Sequence, residues 1–297
     1  MIRILITGAS GQVGQELRLL AGTKYTQFEY IFTDRAALDL QNFDGIRQYF
    51  QRPDFHAHYC INCAAYTAVD KAETEQESAF AANAEGVGIL AEECAKKGMK
   101  LLHISTDYAY HNSQNTPLTE SDPTQPISIY GKSKLAGENR ALSACKDTII
   151  LRTSWVYSVY GNNFVKTMLR LSEQRLLLNV VFDQIGTPTY AADLADALLH
   201  IIDYIESSPR NDFAPFGQIY NYSNEGATSW YDFAREIFEL SHRTCAVSPI
   251  RSAQYPTPAQ RPPYSLMDKS KFKATFGIAI PHWQDALRRC LAILSAQ

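Results

Sequence analysis

Apolar positions in the first half of the chain fall into short unbroken runs separated by longer amphipathic stretches. IRILIT (2–7), EYIFTD (29–34), AHYCINCA (57–64), KLLHIST (100–106) and TIILRTS (148–154) are β-rich runs of strand length, which predicts five strands. Between the third and fourth, SAFAANAEGVGILAEECAKKG (78–98) repeats its apolar residues at helical spacing and stops at Gly98. Strands alternating with helices predict a parallel sheet covered on both faces. Right-handed crossovers then make it an α/β doubly wound fold.

Beyond about residue 155 the alternation loosens. NNFVKTMLRLSEQ predicts a helix, LLLNVVF a strand and AADLADALLHIIDYI another helix, followed by a polar connection over 206–217. SWYDFAREIFEL begins with Ser229 as a helix cap and carries Asp232 in its first turn. YPTPAQRPP (255–263) cannot be regular helix or central strand, because proline fixes the backbone and removes donors. The expectation is a nucleotide-binding domain over 1–155, with a returning segment at about 185–222. A smaller, mainly C-terminal substrate-binding lobe covers 156–184 and 223–297 and closes over the sheet's carboxyl edge. That edge is where open α/β sheets bind ligands. No internal repeat or low-complexity segment breaks this scheme.

Composition changes the picture little. The 297 residues are 45% hydrophobic and 20% charged, with a formal charge of −3, so nothing argues for a nucleic-acid surface. The N-terminus reads as a strand entering a glycine loop rather than as a secretory signal, and no apolar run has the length of a membrane span. A cytoplasmic protein is the expectation. Six scattered cysteines are too sparse for a disulfide scaffold. His56, His58, Cys60 and Cys63 lie along one strand run with no second ligand pair at finger spacing, so no metal is predicted there.

Chemistry enters first at GASGQVG (8–14), directly after a strand and before a helix. Gly8, Gly11 and Gly14 let the backbone approach a pyrophosphate, with Gln12 and Val13 opening the helix whose N-terminus welcomes the charge. Asp34 ends the second strand twenty residues past Gly14, where a carboxylate can bind an adenosine ribose hydroxyl. Arg35 beside it could instead hold a 2′-phosphate, which leaves NADH and NADPH both open. Asp39 and Leu40 are placed to border the adenine.

The second centre is IYGKSK (129–134), where Tyr130 and Lys134 share one helix face. Ser105 or Thr106, at the end of the fourth strand, can reach the same pocket. A hydroxyl, a phenol and an ammonium beside a nicotinamide make a carbonyl-reducing site, with the phenol as general acid. The Lys134 charge is expected to draw the phenol's titration down from its ordinary value near ~10. Lys166, Arg170 and Arg261 are candidate cations for a diphosphate, and only Arg261 lies in an irregular loop.

Together the glycine loop, NCAAYTAVDKAE (62–73), STDYAY (105–110), YGKSKLAGE (130–138) and RTSWVY (152–157) resemble the extended short-chain dehydrogenase/reductase superfamily. GNNFVKTMLRL (161–171), DQIGTPT (183–189) and YPTPAQRP (255–262) extend the likeness, toward its nucleotide-sugar ketoreductases, over nearly the whole chain. The resemblance implies a Rossmann sheet and reduction of the C4 ketone of dTDP-4-dehydro-L-rhamnose by NADPH or NADH. It assigns Tyr130 as proton donor, Lys134 as its tuning and ribose-binding partner, and Thr106 as a substrate hydrogen-bond donor. Ala64, Ala65 and Tyr66 match the strand end lining the cofactor, and Trp155 matches a substrate-contacting tryptophan. Asp107 falls on the substrate side, and Tyr108 stands where related dehydratases carry a second acid, which favours reduction without elimination. Some relatives hold a divalent ion between subunits near the position of Glu16, and a homodimer goes with that comparison. Two alternatives remain: a non-catalytic partner of methionine adenosyltransferase, whose regulatory subunit resembles the same group, and a reductase or epimerase of another nucleotide sugar.

Overall fold

The computed structural model describes residues 1–111, 114–208 and 215–296. Among these, six parallel strands form the central sheet in the order Gln218–Asn221, Thr148–Thr153, Lys100–Thr106, Tyr59–Asn62, Arg3–Thr7 and Glu29–Phe32. All five runs read from the sequence become strands, trimmed by one or two residues at half of their ends. The sixth strand, Gln218–Asn221, has only Ile219 and Tyr220 between polar ends and is not among the runs read from the sequence. It pairs with Thr148–Thr153 at the sheet edge. Residues 209–214 of the expected 206–217 connection lie outside the described residues.

Helices cover both faces, as continuous apolar strands require. On one face, the helices Gln12–Thr23, Ala191–Ser207 and Ser270–Phe276 pack through Leu17, Leu194, Leu198, Phe272 and Phe276 onto Ile4, Ile6, Tyr59 and Ile61. On the other, Phe43–Gln51, Gly86–Lys96 and Ile129–Ala144 pack through Ile46, Phe50, Leu90 and Ala141 onto Leu5, Cys60 and Leu101. Chain order explains the site. The chain leaves Arg3–Thr7 for Glu29–Phe32 on one side, then crosses back to Tyr59–Asn62 on the other. The crevice at that reversal, beyond the strand carboxyl ends, is the ligand position of such sheets.

A separate core holds the helices Phe164–Ser172, Trp230–Leu240 and Trp283–Ser295 against the parallel strand pair Leu177–Val181 and Ala246–Ile250. Helix Ser270–Phe276 packs with the sheet, where Phe276 contacts Tyr220 and Phe272 contacts Tyr222. Among the described residues no helix is long and apolar enough to cross a membrane.

The stretch read as one helix over 78–98 is a helix, a π turn over Ala81–Glu85, and a second helix, with Gly98 in the left-handed region at the end. The π turn carries buried Asn83. Its Oδ1 accepts from Tyr66 N at 2.8 Å, and its Nδ2 donates to Tyr66 O and Ser133 Oγ at 3.0 and 3.1 Å. One extra residue in the turn thus ties the loop after the third strand to the helix Ile129–Ala144.

Candidate active site

A cleft of about 710 Å³ opens at the strand reversal. Its floor is the glycine loop. Gly8 sits at φ 63°, and a Cβ there would lie 2.7 Å from Ala64 N. A Cβ at Gly14 would come 2.6 Å from Gly8 O. Both positions therefore keep backbone close to backbone, leaving a flat cradle at the first turn of helix Gln12–Thr23. Gly8, Gly11, Gln12, Val13 and Gly14 all line it. Unpaired helix N-terminal amides in a cradle of this shape fit the pyrophosphate of a dinucleotide.

Arg35, Leu38, Asp39, Leu40 and Gln41 form one rim, and Ala64, Ala65 and Tyr66 form the opposite one. Arg35 extends over the rim, bonding Asp39 Oδ2 from Nε at 3.1 Å and Gln41 Oε1 from Nη2 at 2.8 Å. Asp34 departs from expectation. Its Oδ1 accepts from Ala37 N at 3.1 Å, closing a turn, and it lies outside the cleft wall. The carboxylate that lines this rim is Asp39, and the cation paired with it is Arg35.

Tyr130 and Lys134 reach the cleft because helix Ile129–Ala144 starts there. Ser128 Oγ caps it by accepting from Gly131 N at 3.1 Å, and Glu73 Oε1 accepts from Ile129 N at 2.9 Å. Further along the same helix, Glu138 takes a bidentate ion pair from Arg152 and a 2.5 Å hydrogen bond from Ser105. The strand that ends in Thr106 is thereby locked to the helix that carries Tyr130. Ser105 is consumed in this lock, so Thr106 is the hydroxyl left for the cleft. Its Oγ1 donates to Asp107 Oδ1 at 3.1 Å and accepts from Tyr108 N at 3.2 Å.

Electrostatics correct a second expectation. Burial pushes the Tyr130 phenol up to about 12, with Thr106 opposing and Asp107 reinforcing the rise. Lys134 does not draw it down. Its Nζ donates to Ile104 O at 2.7 Å and lies 3.4 Å from His103 Nε2. Burial lowers Lys134 to about 8, against the attraction of Glu138. The phenol is therefore protonated at neutral pH, as a general acid must be, and the lysine is the group close to exchange.

Trp155 pairs with Trp230 in the cleft wall, their rings stacked at 3.6 Å and 12°. Trp155 holds φ 47°, a strained value for a bulky residue, and both indoles line the cleft. Asp107 is buried and its Oδ2 accepts no hydrogen bond of good geometry among the described residues; desolvation lifts its carboxyl to about 6 against the opposing pull of the Ser265 and Thr106 hydroxyls. Arg261 is committed elsewhere than expected: it grips Asp70 with both Nη atoms, at 3.1 and 2.9 Å, and is not part of the cleft wall. Lys166 donates to Val159 O at 3.2 Å, and neither it nor Arg170 lines the cleft.

Glu16 does not fit a divalent-ion site. Burial raises its carboxyl, Ser158 Oγ donates to it at 2.6 Å, and Asp193, whose charge it senses, is already bonded by Arg289 and Asn224. No cluster of three metal-ligating side chains occurs among the described residues. His56 and His58 stack edge-to-face at 4.7 Å on the opposite edge of the sheet.

Sequence reasoning missed Trp230, Asn83 and Glu73. Trp230 follows the recognised cap Ser229, and an aromatic at the first helical position was a usable signal. The roles of Asn83 and Glu73 depend on a π turn and on an inter-helix contact, for which the sequence alone offers none.

Comparison with known proteins comes to the same place. The family model for the RmlD substrate binding domain matches residues 2–296. A dTDP-4-dehydrorhamnose reductase of Aggregatibacter actinomycetemcomitans is 41% identical over 98% of this chain and 99% of its own. The crystal structure of a Clostridium acetobutylicum dTDP-4-dehydrorhamnose reductase superposes with a TM-score of 0.91 at 37% identity, covering 99% of this chain and 100% of that one. A Bacillus anthracis dTDP-4-dehydrorhamnose reductase solved in complex with NADP gives 0.89 at 36% identity, again over 99% and 100%.

Proposed function

The chain belongs to the RmlD family of dTDP-4-dehydrorhamnose reductases, and from that premise we propose that it reduces the C4 ketone of dTDP-4-dehydro-L-rhamnose to dTDP-L-rhamnose. The observation that carries the reading is the convergence of Thr106, Tyr130 and Lys134 on the same cleft as the glycine cradle. A bound reduced nicotinamide supplies the hydride. Tyr130 gives its proton to the ketone oxygen, and burial keeps that proton on the phenol until it is needed. Thr106 orients the carbonyl, and Lys134 binds the nicotinamide ribose and returns a proton to the phenolate. The unpartnered Asp107 Oδ2 accepts a sugar hydroxyl, and the paired indoles of Trp155 and Trp230 pack on the sugar's apolar edge.

Arg35 favours NADPH, because a guanidinium already held over the rim by Asp39 and Gln41 is pre-positioned for a 2′-phosphate. NADH remains usable through Asp39. The division into a cofactor domain and a lobe assigns the glycine cradle to the first, with Trp230 and the loop at Gly161 supplied by the second. The reading places the enzyme in the cytoplasm and takes a homodimer as its working state, which light scattering tests. The decisive assay is NADPH oxidation with dTDP-4-dehydro-L-rhamnose beside UDP- and GDP-linked ketosugars. Preferential turnover of the dTDP substrate supports the proposal. Turnover confined to another nucleotide sugar, or none, overturns it.

A further inference from the structure

Beneath the cleft runs a row of buried polar side chains that the reaction above does not use. Thr7, Asn62 and His103 are register partners on three adjacent strands, so they stand side by side on one face of the sheet. All three are at most 1% exposed. Thr7 Oγ1 donates to Asn62 Oδ1 at 2.5 Å, Asn62 Nδ2 meets His103 Nδ1 at 2.9 Å, and His103 Nε2 lies 3.4 Å from Lys134 Nζ. The row begins beside the glycine cradle, where Ala64 N donates to Asn62 Oδ1 at 3.2 Å. It ends on the lysine of the reaction centre.

Hydrogen-bond polarity can be followed along the row without seeing a proton. A backbone N–H can only donate, so the Asn62 atom facing Ala64 N is its oxygen. The Asn62 amide nitrogen then faces His103, and it also can only donate. His103 Nδ1 is therefore the acceptor, and a neutral imidazole carries its proton on Nε2. Burial, reinforced by the Lys134 charge, holds His103 well below its ordinary value and thus neutral. An Nε2–H pointing at Lys134 finds a lone pair on a free amine but only further N–H groups on an ammonium.

The geometry points to His103 as a positioning residue for Lys134: with its tautomer fixed by Asn62, it presents an N–H that favours the free amine and makes the lysine a proton-exchanging link. Opposing groups around Lys134 are few. Glu138, one helical turn on, favours the ammonium, while Cys63, whose thiol burial pushes up to about 12, stays neutral. Ile150, the register partner of His103 on the remaining neighbouring strand, does not titrate. Ile104 O accepts from Lys134 in either state. Because Ala64 and Thr7 flank the cradle, seating of a dinucleotide and the proton affinity of Lys134 share one hydrogen-bonded row.

This deepens the reductase reading and rests on Lys134 belonging to that site, so its test includes readouts that need no turnover. In the full-length protein, imidazole ¹⁵N spectra should show His103 unprotonated at Nδ1 and protonated at Nε2. The reverse tautomer, or an imidazolium at neutral pH, overturns the inference. Titration of ¹³C-labelled lysine should place Lys134 near the value burial gives it, about 8. In His103→Gln, whose amide can turn its oxygen to the ammonium, that titration should rise by at least about one unit, a tenfold gain in proton affinity. The alkaline limb of kcat/KM should move with it. If His103→Gln does not fold, Asn62→Asp carries the test: its carboxylate draws the imidazole proton to Nδ1 and leaves a lone pair at Nε2, with the same upward shift. A variant less stable than the parent but with Lys134 titrating unchanged overturns the inference and leaves the reductase assignment standing.

Discussion

Glu138→Gln is the sharpest perturbation of the scaffold that holds the site. Arg152 and Glu138 are 2% and 0% exposed, joined by contacts of 2.6, 2.9 and 3.2 Å, with Ser105 adding a fourth at 2.5 Å. Removing one charge from a buried pair costs about 3–5 kcal/mol, because the remaining ion stays out of water. Glutamine keeps one oxygen for Arg152 Nε and Ser105, so the loss belongs at the lower end, about 3 kcal/mol. Unfolding entropy of about 2.1 cal/mol/K per residue gives about 0.6 kcal/mol/K for this chain length, and Tm should fall by about 5 °C. Scanning calorimetry at neutral pH reads the shift. A companion variant carrying Glu138→Leu and Arg152→Met removes both charges and should return to within about 1 kcal/mol of the parent. A Tm change below about 1 °C in Glu138→Gln would refute the reasoning, as would a double variant no better than the single one.

Three further outcomes follow from the same geometry. Arg35→Ser should raise KM for NADPH about 10- to 100-fold, the worth of a hydrogen bond to a charged group, and leave NADH nearly unchanged in steady-state kinetics with both cofactors. Asp107 has a folded-state carboxyl raised to about 6, so the folded protein binds more protons than the unfolded one between its ordinary value and 6. Its stabilising contribution is complete below that window and is lost as pH rises through it. Relative to Asp107→Asn, the parent should therefore lose stability between about pH 4 and pH 6 in denaturant titrations, by an order of 1–2 kcal/mol. Gly137→Ala would drive a methyl into the Asn83 carbonyl. It should destabilise by about 1–3 kcal/mol and lower kcat in the reductase assay, because Asn83 also holds Tyr66 and Ser133.

What the sequence revealed and what it hid divide along physical lines. Lys100–Thr106 matches its β-rich run residue for residue, with Leu101 and Leu102 entering the cores on opposite faces of the sheet. Gly8 and Gly14 were legible because backbone meets backbone there, and the residue type records it. For Asp34, the spacing that places an acid at a strand end could not show that its side chain closes a turn on Ala37 N. The pairing of Arg261 with Asp70 was not legible because the two lie 191 residues apart. The row of Thr7, Asn62 and His103 was hidden inside three separately recognised strands, since only strand register brings them together. Tyr130 and Lys134 both line the cleft, but burial raises the phenol instead of the lysine lowering it. Burial dominates both groups, and Lys134 donates to Ile104 O.

Single-turnover reduction of dTDP-4-dehydro-L-rhamnose by the parent and by Tyr130→Phe, with 4-deuterated NADPH in excess enzyme, tests the central claim most directly. Deuterium should appear at C4 of the rhamnose product. The variant, which keeps the ring and loses only the acid, should bind NADPH as before and react about 10²- to 10⁴-fold more slowly. A Tyr130→Phe rate within a few-fold of the parent would contradict the account, because the proton would then be coming from elsewhere.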